Sequence, residues 1–206
     1  MDQKLIDKVA ANYEVLKPYC FAVYMGGSRV DPVIENPHDY DYICFAKPLQ
    51  RHRILTTLHK LGLRQVCSDN KKLYEVIISD DVQLDLSQTR VYPYTRISWF
   101  SYLDVFMKKV IGEDVCPKTD VIIEHRQEFF NCIYEKMNLL LSGKIKNQKR
   151  WYHLLRGIYI LINSSYEVSD AQKKEINMLH DLSEGWEAVK EKTITLIQEF
   201  KKQNNY

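Results

Sequence analysis

Residues 21–45 read FAVYMGGSRVDPVIENPHDYDYICF, and this stretch decides the fold. The apolar run Phe21–Met25 has the composition of a buried β-strand, and it leads directly into the sequence Gly-Gly-Ser-Arg. Glycine lets the backbone approach a ligand closely, and successive N–H groups in such a turn form a concavity that binds anions. We therefore predict a phosphate-binding turn at Gly26–Arg29.

A second strand is predicted at Asp39–Ala46, where aromatic and apolar residues follow the turn. Side chains alternate along a strand, so Asp39 and Asp41 project from the same side, about 7 Å apart. The rest of this strand is apolar on both faces, which predicts a central, buried position. Two carboxylates there would repel each other and lose solvation unless a cation compensated. We expect Mg²⁺ or Mn²⁺, because both prefer oxygen ligands.

A Gly-Ser turn, a spacer of ten residues (29–38) and Asp-x-Asp on a strand resemble the signature of the nucleotidyltransferase superfamily typified by DNA polymerase beta. The Gly-Ser-Arg form is most similar to the predicted nucleotidyltransferases related to bacterial RNA-repair enzymes. The resemblance implies that Asp39 and Asp41 bind metal. A Gly-Gly turn followed by an edge strand with two solvated aspartates remains the alternative. The nucleotide-binding residues that the resemblance implies in the turn are Gly26, Gly27, Ser28 and Arg29.

A hairpin is predicted further along the chain, from Leu73–Ile78 and Val82–Ser87 with turn residues between them. Asp85 falls on the polar face of the second strand. The superfamily places its third metal ligand and general base on such a strand, so the resemblance implies that role for Asp85. Alternation on a half-exposed strand also predicts a polar residue there. Glu75 is the next candidate for the third ligand.

Apolar residues at helical spacing predict that the rest of the chain is helical. The last four helices suit an antiparallel bundle. We predict an α+β fold, with a nucleotidyltransferase catalytic domain (residues 1–98) built on a mixed sheet, followed by a helical domain (residues 99–206). The predicted helices cover residues 5–16, 54–61, Tyr102–Gly112, Ile122–Leu141, Asn147–Ile162, Asp170–Leu182 and Trp186–Lys201, with a start at Ser169 and a break at Gly185.

One predicted helix, Asn147–Ile162, carries a possible phosphate-binding strip. Lys149, His153 and Arg156 recur at intervals of four and three, which places them on one helix face. No Asp or Glu occurs from residue 136 to residue 166. Nucleotidyltransferases commonly hold the β- and γ-phosphates with basic side chains on a helical lobe, and the resemblance implies that role here. A solvated outer helix face is the alternative.

Composition excludes several classes of protein. The chain has 206 residues, 45% of them hydrophobic and 27% charged, as in an ordinary globular protein. Its five cysteines are odd in number and lack Cys-x-x-Cys spacing, so neither a disulfide framework nor a zinc site is indicated. There is no signal-peptide pattern and no apolar run near the ~18 residues of a membrane span. We expect the protein to stay in the cytoplasm, without a membrane partner.

The sequence thus predicts Mg²⁺-dependent transfer of a nucleoside monophosphate from an NTP to an acceptor hydroxyl, with release of pyrophosphate. The acceptor would be an RNA end, a protein or a small molecule. One alternative is a non-catalytic nucleotide- or RNA-binding module on the same fold, although three intact carboxylates argue against it, because buried charge is costly. Another is an antibiotic-type adenylyltransferase, or a toxin-like enzyme that modifies tRNA or protein.

Overall fold

The computed structural model describes residues 13–38, 40–60, 66–67, 75–79, 82–85, 106–115 and 121–206. These residues form two compact units, which we call the sheet unit and the helical unit. The sheet unit contains the described residues up to Val30, those from Pro37 to Asp85 and those of 106–115. The helical unit contains Asp31–Asn36 and residues 121–206. The domain boundary predicted at residues 98 and 99 lies outside the described residues and stays a prediction.

The sheet unit is built on a mixed sheet, as the sequence predicts. Its strands are β1 Cys20–Gly26, β2 Tyr40–Ala46, β3 Val66–Cys67, β4 Glu75–Ser79, β5 Val82–Asp85 and β6 Lys108–Gly112. In the described part of the chain they lie in the order β3-β4-β5-β2-β1-β6. The pairing of β2 with β5 is parallel, and the other neighbours are antiparallel. β4 and β5 form the predicted hairpin.

The core of this sheet lies where β1 pairs with β2. Ala22, Tyr24 and Phe45 are all buried on one face, and the Tyr24 and Phe45 rings meet edge to face with centroids 5.4 Å apart. The Tyr24 hydroxyl donates to the Glu113 carbonyl (3.2 Å) and accepts from the Val115 amide (3.1 Å). A buried phenol normally needs such partners. Tyr24 thereby anchors the chain that follows β6.

The helix predicted at Tyr102–Gly112 is wrong for Lys108–Gly112, which form β6. Apolar residues spaced three to four apart favoured a helix there, but β1 offers a free strand edge to this segment. Ala22 pairs with Gly112 and Met25 with Lys108 in the antiparallel register. Inter-strand pairing outweighed local propensity, which is a weak determinant of structure. Residues 101–105 lie outside the described part of the chain.

Two of the described helices belong to the sheet unit and five to the helical unit. The predicted helix Ile122–Leu141 is interrupted at His125. The predicted helix start at Ser169 is confirmed, because the side chains of Ser169 and Gln172 form a capping box. No described helix has the length and apolarity needed to cross a membrane. The helices are α1 Tyr13–Leu16, α2 Arg51–Lys60, α3 Val121–Glu124, α4 Arg126–Leu141, α5 Arg150–Asn163, α6 Asp170–Asp181 and α7 Trp186–Gln203.

Helix α5 forms the centre of the helical unit. Trp151, Leu154, Leu155 and Ile158 recur at helical spacing and are all buried, whereas Ile162 is 43% exposed. Gly157 lets α4 approach closely: a Cβ there would lie 2.9 Å from Cδ1 of Ile133. Because protein interiors are close-packed, this glycine fixes the spacing of α4 and α5.

Candidate functional site

The predicted phosphate-binding turn follows directly from β1. Gly26 is the last residue of the strand, and Gly27 adopts φ +69°, a conformation that favours glycine. The Val30 amide closes the turn by donating to the Gly27 carbonyl at 3.4 Å. The Gly-Gly sequence therefore changes the chain direction at the end of the sheet, as the sequence predicts.

Ser28 is buried within this turn, with 4% of its surface exposed. Its Oγ has no hydrogen-bond partner among the residues that the structure describes. Leaving a buried hydroxyl unpaired costs about 1–3 kcal/mol, so such groups usually have a partner. A ligand oxygen at this turn would satisfy Ser28. Arg29, the next residue, is half-buried.

The pairing of β1 and β2 places Asp41 beside this turn. Gly26 and Asp41 are direct partners in the antiparallel register, at the end of β1. Tyr40 begins β2. Asp39 precedes it and lies outside the described residues. The structure therefore brings together the turn and the second position of the Asp-x-Asp motif, which are separated by the spacer in sequence.

Asp85 occupies a nearby position in the sheet. In the parallel pairing of β2 and β5, Asp41 is opposite Gln83 and Ile43 is opposite Asp85. Asp85 is therefore opposite the residue two positions after Asp41. In a regular sheet, positions that are two residues apart lie on one face. Strand rise and spacing place the Cα atoms of Asp41 and Asp85 roughly 8 Å apart. Glu75 is directly opposite Asp85 in β4, so the next candidate shares this region.

Two lysines of β6 approach the end of β1, and sequence reasoning missed them because it placed them in a helix. Lys108 pairs with Met25, one residue before the turn, and Lys109 pairs with Tyr24. Lys109 Nζ lies 2.7 Å from Asp114, and this interaction raises the pKa of Lys109 above its ordinary value. Both lysines are exposed. Lys108 adds positive charge near the end of β1, whereas the charge of Lys109 is paired with that of Asp114.

The predicted basic strip does not form one exposed face. Lys149 is exposed and precedes the first turn of α5, and His153 is half-buried, stacked on Tyr152 with ring centroids 3.9 Å apart. Arg156 is only 1% exposed. The alternative of a solvated helix face is therefore wrong for Arg156. A phosphate contact stays a prediction for Lys149, His153 and Arg156.

Arg156 is instead bound to the spacer between the Gly-Ser turn and the Asp-x-Asp motif. Its Nε donates to Asp31 Oδ2 at 3.2 Å, and its Nη2 donates to the Tyr166 carbonyl at 2.9 Å. Burial lowers the pKa of Arg156, and the Asp31 carboxylate opposes that shift. Removing one partner of a buried ion pair costs about 3–5 kcal/mol. Arg156 thus stabilises the folded spacer.

Asn177 of α6 binds the same spacer. Its Oδ1 accepts from the Glu35 amide at 2.9 Å, and its Nδ2 donates to the Val33 carbonyl at 2.9 Å. Sequence reasoning missed both Asp31 and Asn177. The sequence shows only that Asn177 lies beside apolar residues of its helix, such as Ile176 and Leu179, and not that it binds the spacer.

The helical unit also contains a cavity beside these contacts. Its volume is about 470 Å³, and Asn177, Glu35 and Lys173 all contribute to its wall. Lys173 Nζ lies 3.3 Å from the Glu35 carboxylate. Asp170 and Asp181 also line the cavity, which therefore contains charges of both signs.

Comparison with known proteins gives a match in structure only. No protein-family model matches the sequence, and no curated protein matches it. The structure is similar to a crystal structure of spectinomycin adenyltransferase from Enterococcus faecialis with ATP and spectinomycin. The TM-score is 0.59 at 14% identity, and the alignment covers 98% of this chain and 100% of the other. The chain therefore has the α+β fold of a nucleotidyltransferase, with a mixed sheet and a helical region.

Proposed function

We propose that this protein transfers a nucleoside monophosphate from an NTP to an acceptor hydroxyl and releases pyrophosphate. One observation carries the proposal: Gly26 is the register partner of Asp41, and Ser28, two residues along, has a buried Oγ with no partner in the described residues. Nucleotidyl transfer needs a phosphate-binding turn beside a strand that carries carboxylates. The nucleotidyltransferase fold supports the same reaction.

The site residues fit a divalent metal. Asp41 and Asp85 hold positions on one face of adjacent strands β2 and β5. Carboxylate oxygens are the ligands that Mg²⁺ and Mn²⁺ prefer. We propose that Asp39, Asp41 and Asp85 hold the metal. When bound, Mg²⁺ would neutralise phosphate charge and lower the pKa of the acceptor hydroxyl. Glu75 is the alternative to Asp85.

The phosphate-binding turn orients the triphosphate in this proposal. Ser28 Oγ donates to a phosphate oxygen and so gains a partner that the described residues do not provide. Gly27 has a positive φ, and we propose that amides of Gly26–Arg29 form a concavity that suits anions. Arg29, Lys149 and His153 are proposed to add positive charge. Fixed donors of this kind accelerate phosphoryl transfer mainly by positioning and electrostatics.

Two acceptors are proposed first, a small-molecule hydroxyl and an RNA end. The neighbour of known structure was crystallised with ATP and spectinomycin, and the fold similarity runs over almost the whole of both chains. This favours a small-molecule hydroxyl as the acceptor, as in an antibiotic-type adenylyltransferase. The Gly-Ser-Arg form of the turn favours an RNA end, through the resemblance to RNA-repair relatives. A protein or tRNA acceptor belongs to the same reaction class.

Pyrophosphate release from each of ATP, CTP, GTP and UTP tests the proposal. Each NTP is incubated with Mg²⁺ and an aminocyclitol antibiotic, an RNA with a free 3′ hydroxyl, or a protein mixture, and products are identified by mass spectrometry. We expect one NTP and acceptor pair to give an adduct that disappears with EDTA and with Asp41→Asn. NTP binding without transfer to any acceptor would favour the non-catalytic module instead.

A further inference from the structure

The loop between α4 and α5, within the helical unit, carries a dense group of positive charges. They belong to Lys144, Lys146, Lys149 and Arg150, all of which are exposed. No Asp or Glu occurs in the sequence from residue 136 to residue 166. The stretch 144–150 can span at most about 20 Å, even when fully extended. Residues 142–150, which we call the basic loop, therefore concentrate charge of one sign on a small surface.

Within the part of the chain that the structure describes, no carboxylate neutralises the basic loop. None of its four cations takes part in an ion pair among the described residues. Lys190 of α7 lies over the Trp151 ring, 5.7 Å from its centroid, but this lysine is paired with Glu191 at 3.7 Å. A cluster of like charges attracts a polyanion.

Hydrogen bonds give the basic loop a defined backbone at both of its ends. The Ile145 amide donates to the Leu139 carbonyl at 3.1 Å, which ties the loop to the end of α4. Before α5 begins, Asn147 Oδ1 accepts from the Lys149 amide at 3.1 Å. An ordered loop loses less conformational entropy on binding than a flexible one, so this loop is suited to hold its charges towards a partner.

The polar side chains of the basic loop suit phosphate groups. Asn147 and Gln148 are exposed, and their side-chain oxygens accept hydrogen bonds inside the protein, from the Lys149 amide and the Trp151 indole. Their NH2 groups are donors, as are the lysines and the arginine. Phosphate oxygens accept from all of these side chains. Trp151 is only 1% exposed, so it cannot stack on a base.

A lipid surface is a poorer match for the basic loop than a nucleic acid. Helices that lie in a membrane interface bury a broad apolar face in it. Here Leu141, at the end of α4, is 52% exposed, and Ile145 is half-buried. Two such side chains do not make a broad apolar face. The chemistry of the loop therefore favours a nucleic-acid strand.

We propose that the basic loop binds the phosphodiester backbone of a nucleic acid, without regard to base sequence. This inference concerns the helical unit alone and does not require the proposed transfer reaction. Each phosphate that a lysine or arginine neutralises releases counterions from the strand. Four such contacts on a single strand would make log K fall with log salt concentration with a slope of about −3.

Fluorescence anisotropy of a labelled single-stranded RNA tests the proposal, in EDTA and without NTP, over a range of salt concentrations. We expect the double variant Lys144→Ala with Lys146→Ala to make the slope shallower by about 1.4 and to lower the affinity about 10-fold or more at low salt. The matched control is Lys174→Ala with Lys202→Ala, which removes the same charge from exposed lysines elsewhere in the helical unit and should change both values far less. Lys149 is left unchanged, because a contact with NTP is predicted for it separately.

The parallel probes are oligo(A) and oligo(U), vesicles containing phosphatidylserine, and polyglutamate. Oligo(A) and oligo(U) should bind equally, and a preference for one of them would overturn recognition through the backbone alone. The proposal is also overturned if the parent does not bind RNA at low salt, or if the two double variants lose affinity equally. Lysine-dependent binding to vesicles or polyglutamate, but not to RNA, would assign the loop to that partner instead. Because NTP and metal are absent, these results do not depend on whether the protein transfers nucleotides.

Discussion

Gly26 and Asp41 are direct register partners at the end of the β1–β2 pairing. The pair joins the predicted phosphate-binding turn to the predicted metal-binding strand, because Ser28 follows Gly26 by two residues and Asp39 precedes Asp41 by two. The end of β1, which leads into the turn, and the strand that carries Asp41 are therefore neighbours in the sheet.

Asp41→Asn should remove metal-dependent transfer while the fold survives, because the amide keeps the shape of the side chain and loses its charge. We expect the rate to fall by several orders of magnitude, as at other metal-centred phosphoryl sites. Mg²⁺ with NTP should raise the melting temperature of the parent and not of the variant. The control is Glu14→Gln, since the Glu14 side chain is 79% exposed and pairs only at the surface with Lys17. Equal rates in parent and Asp41→Asn would refute the metal assignment.

Ser28→Ala separates a ligand-binding hydroxyl from a structural one. Because Ser28 Oγ is buried without a partner in the described residues, its removal should leave the free energy of unfolding unchanged or raise it by about 1 kcal/mol. The affinity for MgNTP should fall about 10-fold, the value of one hydrogen bond to a charged group. Calorimetric titration and thermal melts measure both. Ser142→Ala, at an exposed serine, should change neither.

Asp85→Ala distinguishes a third metal ligand from an ordinary polar residue on a strand. If Asp85 is a metal ligand in a group of like charges, its replacement should abolish transfer. The stability without metal should then stay the same or rise, since repulsion is relieved. A solvated aspartate would tolerate the change within about 0.5 kcal/mol and leave activity intact. Glu75→Ala is the matched comparison, because Glu75 is opposite Asp85 in the register. Full activity in Asp85→Ala, with loss in Glu75→Ala, would reassign the third ligand.

Lys149→Glu tests the remaining part of the predicted basic strip. If Lys149 contacts the β- and γ-phosphates, the new carboxylate repels them, and the affinity for NTP drops far more than the affinity for NMP. If it is a solvated lysine, both dissociation constants change little, since surface charges contribute under about 1 kcal/mol. Lys202→Glu, at another exposed lysine, is the control. Equal losses for NTP and NMP would speak against a phosphate contact.

Tyr159 should make the stability of the protein fall at alkaline pH. It donates to Glu175 Oε2, and burial together with that carboxylate raises the pKa of Tyr159 above its ordinary value. In the unfolded chain this tyrosine ionises at about pH 10, whereas in the folded chain it stays protonated there. The stability that Tyr159 contributes is therefore fully present below this pH and is lost as the pH rises above it. Urea unfolding from pH 8 to 11 measures the slope, which Tyr159→Phe should flatten and Tyr134→Phe should not. The same slope in Tyr159→Phe and the parent would contradict the assignment.

The elements around the motif were predictable because their signals are local. Gly-Gly ends a strand, and Ser169 begins a helix through a capping box with Gln172, three residues away. The mixed sheet and the hairpin of β4 with β5 follow from short apolar runs separated by turn residues. For such features the residues that decide the structure lie next to the structure that they form.

What could not be predicted depends on partners far away in sequence. Arg156 was predicted on a phosphate-binding strip, with a solvated helix face as the alternative, but its partner Asp31 lies 125 positions earlier. Asn177 binds Val33, 144 positions before it. Lys108 and Lys109 form a strand because β1 presents an edge to them. A single sequence contains no local sign of these pairings, since tertiary contacts override local propensity.

The position of Asp31–Asn36, between the turn and β2, in the helical unit also bears on biosynthesis. A ribosome completes β1, the turn and β2 long before it adds Arg156 and Asn177. Until those residues emerge, Asp31 lacks its counter-ion, and the Val33 carbonyl and the Glu35 amide lack the Asn177 side chain. The nascent chain can therefore form its strands early, but it finishes the segment between the two motifs only after synthesis of α6. We expect truncated chains that stop before this helix to retain a sheet and to expose Val33 and Ile34 between the two predicted motifs.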